Sequence, residues 1–279
     1  MSSQRNPHSR LTDAMRLVLA NIQRAGRPPM SMLNVQQARL FYEMSASILD
    51  LPEPRLARVE DLQIPMRDGQ MVQARLFAPS LRSDTQGLPT LVYFHGGGFT
   101  IGSIQTHNVL CRELSRIAHC AVISVDYRLA PEHPYPAALV DAVGVYTELQ
   151  SQGKVFVGGD SAGGGLALSL TLAARDSQHQ MPAGLVLLSP WLDLAATAAS
   201  YEKNASTDTM FSRDSAEQAA VAYLGTYATT DPLASPAYGD FSRVPKALIF
   251  VSASEVLLDD AVQFANKARQ SGVAVDLHV

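Results

Sequence analysis

Between Lys154 and Leu170 the chain reads KVFVGGDSAGGGLALSL. Val155, Phe156 and Val157 form a short apolar strand signal. The chain then turns through Gly158, Gly159, Asp160, Ser161, Ala162 and Gly163, and continues as a helix carrying Leu166, Leu168 and Leu170. The segment from Gly159 to Gly163 fits G-x-S-x-G, with a strand before it and a helix after it. A serine on so tight a turn lifts its Oγ clear of the sheet. Side chains flanking it would clash, which is why glycine stands there. The Ala162 amide lies at a helix N-terminus, where it can help hold a negatively charged oxygen. The plain alternative is a glycine-rich turn that happens to contain a serine, and the rest of the chain must separate the two.

The chain has 279 residues, 47% of them hydrophobic and 17% charged, enough for one large core and a smaller appendage. Twenty-two basic residues against 26 acidic ones leave a net charge of −4, which gives no general attraction for nucleic acid or an anionic membrane. Cys111 and Cys120 are the only cysteines and fit no metal-ligand spacing; they read as small buried hydrophobes in a reducing compartment. No apolar run reaches membrane-spanning length and no signal-peptide pattern opens the chain, so a cytoplasmic protein is expected.

Apolar spacing predicts a helix over 11–25, stopped by Pro28 and Pro29, and a second helix over 35–48 with Asn34 as its cap. Strands follow at 57–65 and 71–77, joined through Asp68-Gly69, then at 90–94, 121–125, 155–157, 185–188, 247–251 and 273–279. Helices are expected at 106–117, 137–149, after Ser161, near 215–223, and at 257–270 with Gly272 ending the last. Short apolar strands alternating with helices argue an α/β fold, with a mostly parallel central sheet covered on both faces. Residues 191–236 interrupt that rhythm and should lie above the carboxyl ends of the strands. The expected organisation is cap helices in 1–52 and a core over 53–279, with 191–236 inserted as the second part of a helical cap.

His95-Gly96-Gly97-Gly98 follows the strand that ends at Phe94. Three successive glycines expose backbone amides that a ligand can approach closely. Two such amides with Ala162 N–H would form an oxyanion hole. His95 can be read as a base or as a loop anchor; a histidine ending a strand at this point more often anchors the loop.

These segments, together with YRLAPEHPYPAALVD from Tyr127 to Asp141, resemble the hormone-sensitive-lipase-like (bacterial family IV) carboxylesterases of the α/β-hydrolase fold. The resemblance runs from about Arg55 to the last residue. It implies Ser161 as nucleophile and Gly96, Gly97, Gly98 and Ala162 as the oxyanion hole, with Gly96 shaping the loop and the other three donating. It implies Glu255 as the triad acid, a glutamate where aspartate is commoner, whose work is to orient and charge-stabilise an imidazolium. Otherwise Glu255 is a first-turn carboxylate of the following helix. Asp259 and Asp260 then face solvent or anchor the loop, Glu132 and His133 lock the loop before the next helix, and Asp160 stabilises the turn. The resemblance further implies a small-molecule ester substrate of short to medium acyl chain, an acyl-serine intermediate, and neither metal nor organic cofactor. By analogy alone it also suggests a homodimer.

The family's catalytic histidine sits on a loop after the last strand, and the sequence in hand ends at Val279, before that loop. The expectation is therefore a chain truncated ahead of its general base, and impaired. His278 is the one substitute base considered, but it alternates in phase with Asp276, on the opposite face from Val275, Leu277 and Val279. Nothing recommends His107 or His119. The rival reading is a non-catalytic small-molecule-binding protein on a hydrolase scaffold, as in the plant gibberellin receptors.

Overall fold

A computed structural model of the chain describes residues 16–17, 20, 33–66, 69–80 and 87–279. The helix expected over 11–25 falls almost wholly outside the described residues, as do Arg67 and Asp68 of the expected hairpin turn.

Eight strands form one sheet: β1 (Arg58–Pro65), β2 (Met71–Ala78), β3 (Thr90–Phe94), β4 (Ala121–Val125), β5 (Val155–Asp160), β6 (Leu185–Leu188), β7 (Ala247–Phe250) and β8 (Val275–His278). Their spatial order is β1-β2-β4-β3-β5-β6-β7-β8. The first two strands pair antiparallel, from Arg58 opposite Ala78 to Pro65 opposite Met71. β2 is also antiparallel to β4, and every later pair is parallel. Parallel neighbours need crossover connections, and helices supply them. These are α2 (Asn108–Ala118), α3 (Ala137–Leu149), α4 (Ala162–Asp176) and α7 (Leu258–Gln270).

Every residue of β3 and β4 is buried, as their uninterrupted apolar runs require of strands covered on both faces. Alternation divides the side chains between two cores. Val92 and Phe94 join the larger core with α3 and α4, whereas Leu91 and Tyr93 face the other way, with Phe77, Val122 and Cys111 of α2. Both cysteines are buried free thiols.

Outside this crossover pattern, from residue 33 onward, lie α1 (Val35–Leu49), α5 (Ser200–Lys203) and α6 (Arg213–Leu224). Asn34 caps α1 in a reciprocal box: its Oδ1 accepts from Gln37 N (2.9 Å), and Gln37 Oε1 accepts from Asn34 N (3.2 Å). Arg39 ties α1 to the core through the Thr100 and Ala130 carbonyls (2.8 and 3.0 Å) and an ion pair with Glu132 (2.7 Å). Tyr223 of α6 stacks on Phe99, just past the triple glycine, with ring centroids 3.8 Å apart. The sheet is thus flanked by helices and carries a helical cap, and α1 and α6 both reach the loop after β3.

The tightest backbone contact lies where α4 starts. A Cβ on Gly163 would stand 1.9 Å from the Phe94 carbonyl oxygen and 2.6 Å from that of His95. Both obstacles are backbone, so neither can swing aside. Gly163→Ala is expected to lower the unfolding free energy by about 3 kcal/mol or more, at the upper end of overpacking effects. Urea denaturation measures it, and a loss below about 0.5 kcal/mol would contradict this account of the crossing.

Candidate active site

Ser161 adopts φ 49°, ψ −120°, a conformation costly for a residue with a side chain. Its backbone is held on both sides. Its amide donates to Leu188 O (2.9 Å), and its carbonyl accepts from Trp191 N (2.9 Å) and Gly165 N (3.1 Å). The glycines around it permit this packing: a Cβ on Gly159 would meet Phe94 O at 2.3 Å, and one on Gly165 would meet Trp191 O at 2.3 Å. The turn is thus pressed against the end of β3, where the triple glycine begins.

Gly97 and Gly98 have φ values of 122° and 59°; the first is strained for any residue with a Cβ, and glycine adopts both freely. The Gly97 carbonyl is turned inward, accepting from Thr100 N (3.1 Å) and Ile101 N (3.0 Å). Among the described residues, the Gly97, Gly98 and Ala162 amides donate to no protein acceptor. The Gly96 amide is different, because it donates to Asp160 Oδ1 at 2.9 Å. Gly96 therefore shapes the loop, and the free donors are the other three.

Glu255 lies in the turn between β7 and α7. Its Oε1 accepts from the Ser189 hydroxyl (2.8 Å) and from Ser252 N (2.5 Å). Ser189 and Trp191 belong to the same segment after β6, and that segment binds both Ser161 and Glu255. Burial pushes the Glu255 carboxyl above the usual range; the Ser252 amide and Ser189 hydroxyl oppose that rise, and the Asp208 charge adds to it. Asp259 and Asp260 do not face solvent but anchor the segment from Leu192 to Ser200. Asp259 accepts from Ser200 N (2.9 Å), and Asp260 accepts from the Leu192 and Asp193 amides (2.9 and 3.0 Å). Burial raises Asp260 to about 7.

The described histidines are held elsewhere. His95 is fully buried, stacked on Tyr127 at 4.3 Å, and burial pulls it down to about 4. It anchors the loop by stacking and by a contact with the Gly96 carbonyl (2.8 Å). His278 stacks on Phe250 (4.8 Å) and pairs with Asp276 (3.2 Å), half-exposed at the sheet edge. Its strand lies three neighbours from β5, about 14 Å at the usual strand spacing. His119 ends α2 in a left-handed conformation, and His179 lines a cavity with Arg175 and Arg243. His133 follows the Arg39–Glu132 pair, its amide bonded to Leu129 O (2.9 Å).

His107 is the residue that sequence reasoning passed over. It is buried, its Nε2 lies 3.2 Å from the Asp160 carboxylate, and its Nδ1 lies 2.8 Å from Thr106 Oγ1. Burial, the largest single influence, would lower its pKa, but the Asp160 charge and hydrogen bond, with Ser103 and the Asp50 charge, together raise it. Burial, again the largest single influence, would raise Asp160, but the His107 charge and the hydrogen bonds from His107 and Tyr93, with a smaller part from His95, together lower it. No spacing signal reports this pair, because 53 residues separate its members.

Among the described residues, no cluster of ligating side chains could hold a metal ion, and no helix is long and apolar enough to cross a membrane. Residues 91–279 match the family described as the alpha/beta hydrolase fold, and the chain belongs to that family. It is related to bacterial esterases of the hormone-sensitive-lipase type. A crystal structure of an esterase from the bacterial hormone-sensitive lipase family superposes with a TM-score of 0.86 at 35% identity, covering 96% of this chain and 88% of that one. A mutant of the esterase E40 superposes at 0.87 with 35% identity, covering 96% and 89%. An acetyl-hydrolase of Streptomyces hygroscopicus is 40% identical over 190 residues, 67% of this chain and 64% of that protein. An esterase of Acinetobacter venetianus is 34% identical over 229 residues, 80% and 73% of the respective chains.

Glu255 yields a pH prediction. Its folded pKa is raised, so its ionised form is disfavoured by folding, and the cost is present above that pKa. Glu255→Gln keeps the acceptor for Ser189 and Ser252 without the charge. It should raise the melting temperature at pH 7.5, and the gain should fade as the pH falls through the raised pKa of Glu255. Thermal melts of both proteins from pH 4 to 8 measure this; a less stable Glu255→Gln at pH 7.5 would contradict it.

Proposed function

We propose that the chain is a serine carboxylesterase that hydrolyses short- to medium-chain acyl esters through an acyl-Ser161 intermediate. The observation that carries this reading is Ser161 held at a positive φ on a turn pressed against the glycine loop, where three backbone amides have no acceptor among the described residues. Ser161 Oγ attacks the acyl carbon as its proton passes to a base, and the carbonyl π electrons move onto oxygen. That oxygen is held by the Gly97, Gly98 and Ala162 amides. Collapse breaks the ester C–O bond, and the leaving oxygen takes the proton and departs as the alcohol. Water then adds to the acyl-serine by the same route and releases the acid. No step calls for a metal or an organic cofactor.

Glu255 is the acid of this triad. With Oε1 occupied by Ser189 and Ser252, Oε2 is left to orient an imidazole. The described histidines are committed elsewhere, so the imidazole is the member that the described residues do not supply. Without such an imidazole Ser161 stays protonated and is a weak nucleophile. The stack of Tyr223 on Phe99, and Ala219 facing Gly98, narrow the space above the oxyanion loop and favour modest acyl chains. α1 and α6, from 1–52 and 191–236, are the parts of the cap that set this preference. The two buried free cysteines support a reducing, cytoplasmic setting.

The test is hydrolysis of p-nitrophenyl butyrate with and without added imidazole, with Ser161→Ala alongside. A slow reaction that imidazole accelerates about 10-fold or more beyond Ser161→Ala is expected. Equal rates for the two proteins at every imidazole concentration would overturn the reading. Tight ligand binding in that case would favour a binding protein on this scaffold.

A further inference from the structure

The carboxylate beside the nucleophile is gripped by three donors from separate parts of the chain. Asp160 Oδ1 accepts from the Tyr93 hydroxyl of β3 (2.8 Å) and from the Gly96 amide of the glycine loop (2.9 Å). His107 Nε2, at the N-terminus of α2, lies 3.2 Å away and faces both carboxylate oxygens. We infer that His107 is a positioning residue of the oxyanion hole: it fixes the Asp160 carboxylate, Asp160 pins the Gly96 amide, and the Gly97 and Gly98 amides are thereby kept free and aimed at the acyl oxygen. The inference rests on the reading of Ser161 and these amides as the reacting centre.

Two observations make the linkage mechanical. The carboxylate lies so close to Gly96 that a Cβ there would be 2.1 Å from Asp160 Oδ2, so the two groups cannot shift independently. Gly97 follows with its carbonyl locked to Thr100 and Ile101, and a Cβ on it would be 2.2 Å from Ile101 O. Displacing Gly96 therefore displaces the next two amides. His107 is itself immobilised. Thr106 Oγ1 donates to Ser103 O (2.9 Å), which leaves its lone pairs to accept from His107 Nδ1–H (2.8 Å). The ring also lies against Tyr93, His95 and Tyr42, with centroids 5.6–6.4 Å away.

Charge adds a second reason. An anion one residue from the nucleophile opposes a second negative charge forming on the substrate oxygen. His107 Nδ1 faces Thr106 Oγ1, and Nε2 faces the Asp160 carboxylate at 3.2 Å, with the Gly96 amide nitrogen farther off at 3.4 Å; in its protonated form the ring donates to Asp160 and its positive charge offsets that anion. Tyr93 and Gly96 are neutral donors and supply no such offset.

The experiment compares His107→Leu, His107→Asn and His107→Gln with the unaltered chain in imidazole buffer. Glutamine places an amide N–H near the position of Nε2; asparagine is too short to reach Asp160. Three readouts are taken: kcat and KM for p-nitrophenyl butyrate, affinity for butylboronic acid (which forms a tetrahedral anion on Ser161), and the Gly96 amide proton resonance. The Leu and Asn variants should lose about 10-fold or more in kcat and in boronate affinity, a part of what losing one oxyanion donor outright costs, with KM within about 2-fold. The Gly96 resonance should move upfield, and glutamine should recover most of all three. Folded Leu or Asn variants with unchanged kcat and boronate affinity, or a Gly96 resonance that stays in place, would overturn the inference. Should leucine prevent folding, the Asn and Gln pair decides alone. If boronate fails to bind the unaltered chain, the reading of Ser161 fails, and the Gly96 resonance still reports separately on the His107 link.

Discussion

Where α4 leaves β5, Gly163 lies against the carbonyl at the end of β3 at a distance that excludes even one carbon atom. That contact sets the position of everything functional here. It brings the start of α4 next to the triple-glycine loop, and so places the Ala162 amide beside those of Gly97 and Gly98. The same crowding drives Ser161 to a positive φ, a conformation that an isolated serine would leave at once. The strain is held at both the amide and the carbonyl of Ser161, through Leu188 at the end of β6 and Trp191 in the segment after it. The parallel core is thus a clamp on one turn, and its burial stabilises a local geometry that would otherwise be unfavourable.

The polar groups form a second layer of constraint around that turn. Ser189 is two residues from Trp191, and it holds Glu255 through a hydroxyl hydrogen bond. One short segment therefore registers Ser161 and Glu255 against each other, although 94 positions separate them in the chain. On the other flank, Asp160 gathers Tyr93, Gly96 and His107. The cap joins this arrangement through Arg39, which reaches two carbonyls and Glu132. Such networks lose more than one bond when a member is removed, because the remaining buried groups are left without partners.

Much of this was legible in the residues. Strand positions followed from apolar runs bounded by glycine and polar loops, and α3 begins and ends where the spacing of its alanines and valines placed it. The fold class was readable because β3 and β4 are uninterrupted apolar runs, the mark of strands buried on both faces. Period-2 alternation also put His278 on the face opposite Val275 and Leu277, where it stacks on Phe250. His107 was not legible. Its partner is distant in sequence, and nothing local tells which helix start lies beside which strand end. For the carboxylates at 259 and 260 the choice between solvent and anchor stayed open, since the amides they satisfy are 59 to 68 positions away. Local pattern reports elements; contacts made by tertiary packing between remote polar groups leave no periodic trace.

The central claim is that Ser161 alone among the chain's serines is made reactive, by its turn and by the amides facing it. The most direct measurement is reaction with a p-nitrophenyl alkylphosphonate in imidazole buffer, followed by peptide mass spectrometry. The account predicts one adduct per chain, on the peptide containing Ser161, and none in Ser161→Ala. Labelling spread over several serines, or undiminished in Ser161→Ala, would contradict it.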